Sequence, residues 1–213
     1  MSAANLPGQS AFLKLRGLAR QRPDAERCEL CGAPLAGEHQ HLLEPTARRL
    51  CCSCDACAIL FSDRQGSRYL RVPREIQLLA DFQLTDAHWE SLHLPINLAF
   101  FVYSSPTQRV IALYPGPAGA TESLLTLETW QDLVAENPIL REFAPDVEAL
   151  LVNHLGELRE HFRVPIDECY KLVGLIRTHW RGLAGGTQVW AAIHGFFNGL
   201  RQRSRPRGAH ANA

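Results

Sequence analysis

Six of the chain's seven cysteines fall in the thirty residues from Cys28 to Cys57, CELCGAPLAGEHQHLLEPTARRLCCSCDAC. Cys28 and Cys31 form one C-x2-C pair, and Cys54 and Cys57 form a second, 22 residues further on. Thiolates are soft ligands. Two pairs at that spacing can set four sulfurs tetrahedrally around one ion, which suits Zn²⁺ or a single Fe held by sulfur alone. Gly32, directly after Cys31, allows the tight backbone that a knuckle of this kind needs. The segment offers more donors than one ion takes. Cys52 competes through the run Cys52-x-Cys54-x2-Cys57, and His39 and His41 sit two residues apart, on one face of an extended chain. Cys28, Cys31, Cys54 and Cys57 are the simplest set, with Cys52, His39 and His41 as alternates. Cys51 is expected to point away.

Two other chemistries fit parts of the same segment. Glu38-His39-Gln40-His41 with Pro45, framed by the cysteine pairs, resembles part of an HNH endonuclease, in which one His activates water and a second His or Asn holds a divalent ion against the phosphate. Only eight residues separate Pro45 from Cys54, with no Asn among them, so the metal-holding half is missing. Four thiolates can also hold an iron that cycles between two oxidation states, as in rubredoxin. Rubredoxin-like sites usually carry Gly after both knuckles. Here Ala58 follows the second, which favours zinc.

Outside this cassette the densest segment is PIDECYKLVGLIRTHWRGLAGG, Pro165 to Gly186. Cys169, Leu172, Val173, Ile176 and Trp180 make a helical apolar stripe, the mark of a core-facing helix, and Cys169 reads as a buried inert thiol. Asp167 and Lys171 are spaced for an i, i+4 ion pair. Arg177 and Arg181, with His179 between them, form a candidate surface for a carboxylate or phosphate of a ligand or partner. No P-loop, Gly-x-Ser-x-Gly elbow, His-Glu-x-x-His helix or Rossmann fingerprint occurs.

The elements that must position these residues follow from local pattern. A short helix is expected over Ala11–Gln21 after Ser10. The metal module spans about residues 26–73. It is expected to close with a hairpin in which Ala58–Phe61 and Arg68–Val72 are strands. Metal binding should contribute much of the folding energy of so small a unit. An α+β domain follows over residues 74–200. Its expected elements are a helix over Asp86–His93, a hairpin of Ile96–Tyr103 with Arg109–Tyr114, and a loop over Tyr114–Thr121. A strand over Ser123–Leu127 and a helix over Thr129–Glu136 come next. Strands over Val147–Asn153 and Glu160–Val164 and helices over Ile166–Trp180 and Thr187–Gln202 complete it. Hairpins and helices without regular alternation indicate a largely antiparallel sheet. The tail from Arg201 is expected to be basic and frayed.

Composition narrows the function classes. The chain has 213 residues, 46% hydrophobic, with formal net charge zero. Residues 1–75 hold 11 basic and 8 acidic groups, residues 76–200 hold 7 and 14, and residues 201–213 hold four arginines and no acid. An acidic body between basic ends is a poor surface for tracking nucleic acid. No secretory signal or membrane span is evident. Seven cysteines without an export signal imply reduced thiols and a cytoplasmic protein.

Taken together, CELCGAPLAGEHQHLL, the Cys52-x-Cys54-x2-Cys57 run, PGPAGATESLL and PIDECYKLVGLIRTHWRGLAGG resemble a bacterial family of unknown function found in the gene clusters of high-affinity, actinobacterial-type NiFe hydrogenases. The resemblance covers about Arg27 to Phe197. It implies a cytoplasmic accessory factor in making or assembling a hydrogenase, with a hydrogenase subunit or maturation factor as protein partner, and assigns no catalytic residue. Three readings result. The first is a non-catalytic metal-binding scaffold with structural zinc. The second is an electron-transfer or iron-handling protein on the same thiolates. The third is an enzyme with a pocket between its domains, contacted by Arg177, His179 and Arg181.

Overall fold

The structure, a computed structural model, describes residues 26–62, 66–123, 128–182 and 185–205. It is α+β, with all strand pairing in both sheets antiparallel. The first sheet has three strands, β1 (Gln40–Glu44), β2 (Arg49–Ser53) and β3 (Leu70–Arg71), in the order β2-β1-β3. Helix α1 (Asp55–Ser62) follows β2 directly. The second sheet has the order β4-β9-β8-β5-β6-β7. Its strands are β4 (Gln77–Leu78), β5 (Leu98–Ser104), β6 (Arg109–Gly116), β7 (Gly119–Glu122), β8 (Glu148–Asn153) and β9 (Glu160–Pro165). Helices α2 (Asp86–Ser91), α3 (Glu128–Glu136), α4 (Ile166–His179) and α5 (Gly186–Arg203) complete it, with a 3-10 turn over Pro138–Glu142.

The large sheet is covered on both faces, which is why its central strands read as unbroken apolar runs. Successive residues of β8 alternate between two cores. Ala149 and Leu151 face a cluster with Cys169, Leu172, Val173 and Ile176 of α4 and Val189, Ile193 and Phe197 of α5. Leu150 and Val152 face Phe82, Trp89, Leu92 and Ile139 on the other side. The apolar stripe of α4 is therefore a core face, and Cys169 is fully buried in it. Burial pushes its thiol well above the ordinary cysteine range.

The small sheet joins this body. Leu43 of β1 and Val72 belong to the same core as α4. Arg48 Nη1 donates to Glu122 Oε2 at 2.9 Å. The other face of β1 and β2 has its own small core of Leu42, Cys51, Ala58 and Tyr69.

Several expected elements differ. Ala58–Phe61 is not a strand but lies in α1. Four residues starting at a C-x2-C make one helical turn, closed here by Ala58 N donating to Cys54 O at 2.9 Å. Strand β3 pairs with β1 instead of with that segment. Residues 114–121 are not a loop but the turn and flanks of a β6–β7 hairpin, with Gly116 opposite Gly119. Pro115 is tolerated because the β5 pairing ends at Leu113, leaving that end of β6 paired only with β7. Of the strand expected over Ser123–Leu127, Ser123 lies just past the end of β7, and residues 124–127 lie outside the described residues. So does the helix expected over Ala11–Gln21. Arg201 is not the start of a frayed tail. Helix α5 runs to Arg203, and Arg205 N donates to Ile76 O at 3.0 Å. Arg201 is ion-paired to Glu160, and Arg203 to Glu168.

Candidate metal centre

Each of the four paired cysteines is placed by local backbone chemistry. At the first knuckle, Gly32 N donates to Cys28 O and Cys28 N donates to Ala33 O, both at 2.8 Å. This tight turn puts Gly32 at φ +76°, the left-handed region that glycine enters freely. At the second, Cys54 precedes α1 and Cys57 lies in its first turn. Here no positive φ is needed, so Ala58 stands where a knuckle of the other type would want glycine. Asp55 occupies the helix's first turn and accepts from Gln40 Nε2 at 2.9 Å, fixing α1 against β1. The knuckles are clamped together through Glu29. Its N–H donates to Cys52 O at 2.9 Å, and its carboxylate accepts from Cys52 N at 2.8 Å.

The result is one cluster. The sulfurs of Cys28, Cys31, Cys54 and Cys57 all lie within 4.8 Å of one another, Cys28 and Cys57 buried and Cys31 exposed. Cys31 Sγ and Cys54 Sγ are 3.7 Å apart. A tetrahedral ion with metal–sulfur bonds of about 2.3 Å has sulfur–sulfur edges of about 3.8 Å, so that pair already stands at the separation an ion would impose. All seven cysteines are free thiols. Burial alone would raise the Cys28 thiol, but backbone hydrogen bonds from Cys54, Leu30 and Cys31 outweigh it and bring Cys28 down to about 6. Burial and the neighbouring sulfurs push Cys57 the other way. Four thiols this close cannot all ionise without a cation among them. The donor set fits a soft or borderline metal such as Zn or Fe, and the module is consistent with a zinc-ribbon-like unit.

The alternates do not join this cluster. His39, His41 and Cys52 form a separate group, with one donor atom from each all within 4.8 Å of one another. His41 and Cys52 are direct cross-strand partners in the β1–β2 register. Cys51, one residue back, points to the opposite face and is buried against Leu42, as strand alternation requires.

On α4, Asp167 does not pair with Lys171. Its carboxylate accepts from His41 and from the N–H of Glu168, and Lys171 Nζ lies 3.7 Å from Glu168 instead. Arg177 is exposed on the last turn of α4. The helix ends at His179, so Arg181 does not share a helix face with Arg177. Its guanidinium turns back to donate to the carbonyls of Thr178 and Trp180. His179 is half-buried, its Nδ1 2.9 Å from Leu175 O. None of the three lines a described cavity. A cavity of about 390 Å³ lies between residues 78–82 and 136–139. The cavity between small sheet and body, lined by Leu43, Arg48, Asp146 and Tyr170 among others, is about 20 Å³, room for about one water.

Sequence reasoning missed Asp167 as the partner of His41, 126 positions away. It also missed a buried histidine pair, His154 Nε2 and His161 Nε2 at 3.1 Å. The pairing of β8 with β9 brings the two together, and no spacing in the chain announces it.

Among the described residues, no helix is long and apolar enough to cross a membrane. Neither curated proteins nor solved structures give a match to the chain. A family model does, over residues 27–204, which takes in the cysteine cluster, both sheets and helices α1 to α5. The chain therefore belongs to the family of unknown function DUF5947.

Proposed function

We propose that this protein is a cytoplasmic metal-binding accessory or scaffolding protein acting in the maturation or assembly of a NiFe hydrogenase. In this reading zinc is held by Cys28, Cys31, Cys54 and Cys57, and a hydrogenase subunit or maturation factor is the partner. The observation that carries it is the relation between the cysteine cluster and α1. Cys54 and Cys57 root the helix, and after the buried Ala58 come Ile59, Leu60 and Phe61, 57%, 60% and 44% exposed. Three consecutive large apolar side chains in solvent are the usual mark of a contact surface. Here their presentation depends on the metal. The zinc contributes structure, with no open coordination position among four thiolates. The hydrogenase context rests on the sequence resemblance, and the cytoplasmic assignment on the free thiols.

The exposed edge of the cluster at Cys31 supports the electron-transfer or iron-handling alternative, because a solvent-near sulfur shortens the path to a redox partner. Metal analysis of protein purified without added metal, with a visible spectrum, separates the two. Zinc at one equivalent and no colour supports the scaffold. A red, iron-loaded protein that bleaches reversibly on reduction overturns it. For the partner, affinity capture from cells expressing the hydrogenase should enrich a hydrogenase subunit or maturation factor. Leu60→Glu should lose that enrichment, and its absence with the unaltered chain would overturn the assignment.

A further inference from the structure

The cluster that the four-cysteine site leaves over has the features of a site in its own right. His41 lies in β1 with Cys52 opposite it, and His39 stands two residues before it, just ahead of the strand. One donor atom from each of the three lies within 4.8 Å of the others, so the rings and the sulfur converge. The His39 and His41 ring centroids are 4.9 Å apart at 80°. Each histidine already has its Nδ1 against an oxygen. His41 Nδ1 is 2.7 Å from Asp167 Oδ2, and His39 Nδ1 is 3.0 Å from Ala36 O and 3.5 Å from Glu26 Oε2. A neutral imidazole whose Nδ1 donates carries its lone pair on Nε2, so both rings are set in the tautomer that ligates through Nε2. Hydrogen-bonded support of this kind on the far nitrogen is how proteins orient metal-bound histidine. The His39 side chain is only 8% exposed, and its Nε2 is buried with no hydrogen-bond partner. A buried acceptor left unmatched is destabilising, and an ion would satisfy it.

We propose that His39, His41 and Cys52 form a second metal site, separate from the four-cysteine cluster, that takes a divalent transition ion of the zinc class. Two imidazoles and one thiolate are three ligands of a tetrahedral set, so the fourth position is left to water or an added ligand, as in open zinc sites. Binding is coordinate. The two neutral Nε2 lone pairs and the Cys52 sulfur are the donors, and the thiol proton leaves to solvent as the ion enters. Donor separations in such a set are about 3.3–3.8 Å, and side-chain rotation closes the present spread to that range. His41 and Cys52 are partly exposed, so the site is not sealed and this ion exchanges while the four-thiolate ion stays. The site sits where β1 meets the first turn of α4, and Asp167 is its positioning residue.

Titration of the full-length protein with Co²⁺, after chelator treatment that leaves the tightly held equivalent in place, tests this. The expected result is one further equivalent, with visible d–d bands and a thiolate-to-cobalt charge-transfer band weaker than a four-thiolate centre gives. Cys52→Ser should remove the charge-transfer band, and His39→Ala should abolish the added equivalent. Both should keep the tight equivalent, which certifies that the fold is intact. Asp167→Asn should weaken the second equivalent about 10- to 100-fold without removing it. Saturation of the unaltered chain with no added equivalent would overturn the site, as would full retention in His39→Ala and Cys52→Ser. Cys28→Ser tests the other cluster. It removes the tight equivalent, so failure of either site is read separately.

Discussion

His41 Nδ1 and Asp167 Oδ2 are 2.7 Å apart although 126 positions separate them in the chain. The contact joins the central strand of the small sheet to the first turn of α4, the helix that lies on the large sheet. Both side chains are mostly shielded, so the bond is worth more than a surface pair. A double-mutant cycle of His41→Ala and Asp167→Ala in protein loaded only at the four-cysteine cluster, followed by urea unfolding, should give a coupling of about 0.5–1.5 kcal/mol. Additivity within error would show that the two parts are held by the apolar contacts of Leu43 and Val72 and by the Arg48–Glu122 pair instead.

Removal of metal should act locally before it acts globally. Cys28→Ser should lose one tightly held equivalent and several kcal/mol of stability in the small sheet. Hydrogen exchange is the measurement. Amides of β1 and β2 should lose protection, while those of β5 and β8, buried between two cores, keep theirs. Equal loss in both sheets would mean that the module and body fold as one unit.

Acid should destabilise the protein through His154 and His161. Burial, and for His161 the charge on His154, hold both pKa values down to about 4. Arg159 pushes both in the same direction, and Asp86 opposes it weakly at His154. A histidine depressed in the folded state is neutral there while its unfolded counterpart, near 6.5, takes up a proton. Stability is therefore full above pH 6.5 and falls as pH drops from 6.5 towards 4, by about 2–3 kcal/mol for a single such group. Denaturant unfolding at pH 7.0, 5.5 and 4.5 should show this decline. The double variant His154→Gln/His161→Gln should flatten it.

Arg203 fixes the end of the chain's last described helix. Its guanidinium donates to both oxygens of the nearly buried Glu168 at 2.8 and 2.9 Å. Arg203→Ala leaves that carboxylate with only Lys171 nearby. The expected loss is about 1–2 kcal/mol, discounted because Arg203 is half-exposed. Thermal unfolding would register it, and an unchanged midpoint would return Arg203 to the status of a solvated tail residue.

What could be read from the chain divides along a physical line. Four cysteines in two C-x2-C pairs announced their cluster because the geometry is local: a knuckle and one helical turn each set two sulfurs. The strand Val147–Asn153 is legible because burial on both faces leaves the apolar run Ala149–Val152, and Glu160–Val164 because Phe162 and Val164 alternate with His161 and Arg163. Ala58–Phe61 misled because four apolar residues fit strand or helix equally, and only the turn that Cys54 and Cys57 impose decides. Residues 114–121 misled because two prolines and two glycines look like a loop, although a hairpin edge accepts them once the neighbouring strand has stopped. His39, His41 and Cys52 were visible as donors, but their separation from the four-cysteine cluster depends on β1–β2 register. Asp167 depends on how α4 docks, which no spacing encodes.

The placement of Cys54 just before α1 and Cys57 in its first turn bears on how that helix is nucleated. The first turn of a helix is its unfavourable step, since several residues must be fixed before any hydrogen bond repays them. An ion gripping both sulfurs supplies that first turn in advance, so an eight-residue helix that would not persist alone becomes stable upon loading. Ile59, Leu60 and Phe61 would then be displayed as a helical surface only on chains that have already captured their metal, and a partner reading that surface would be counting loaded molecules.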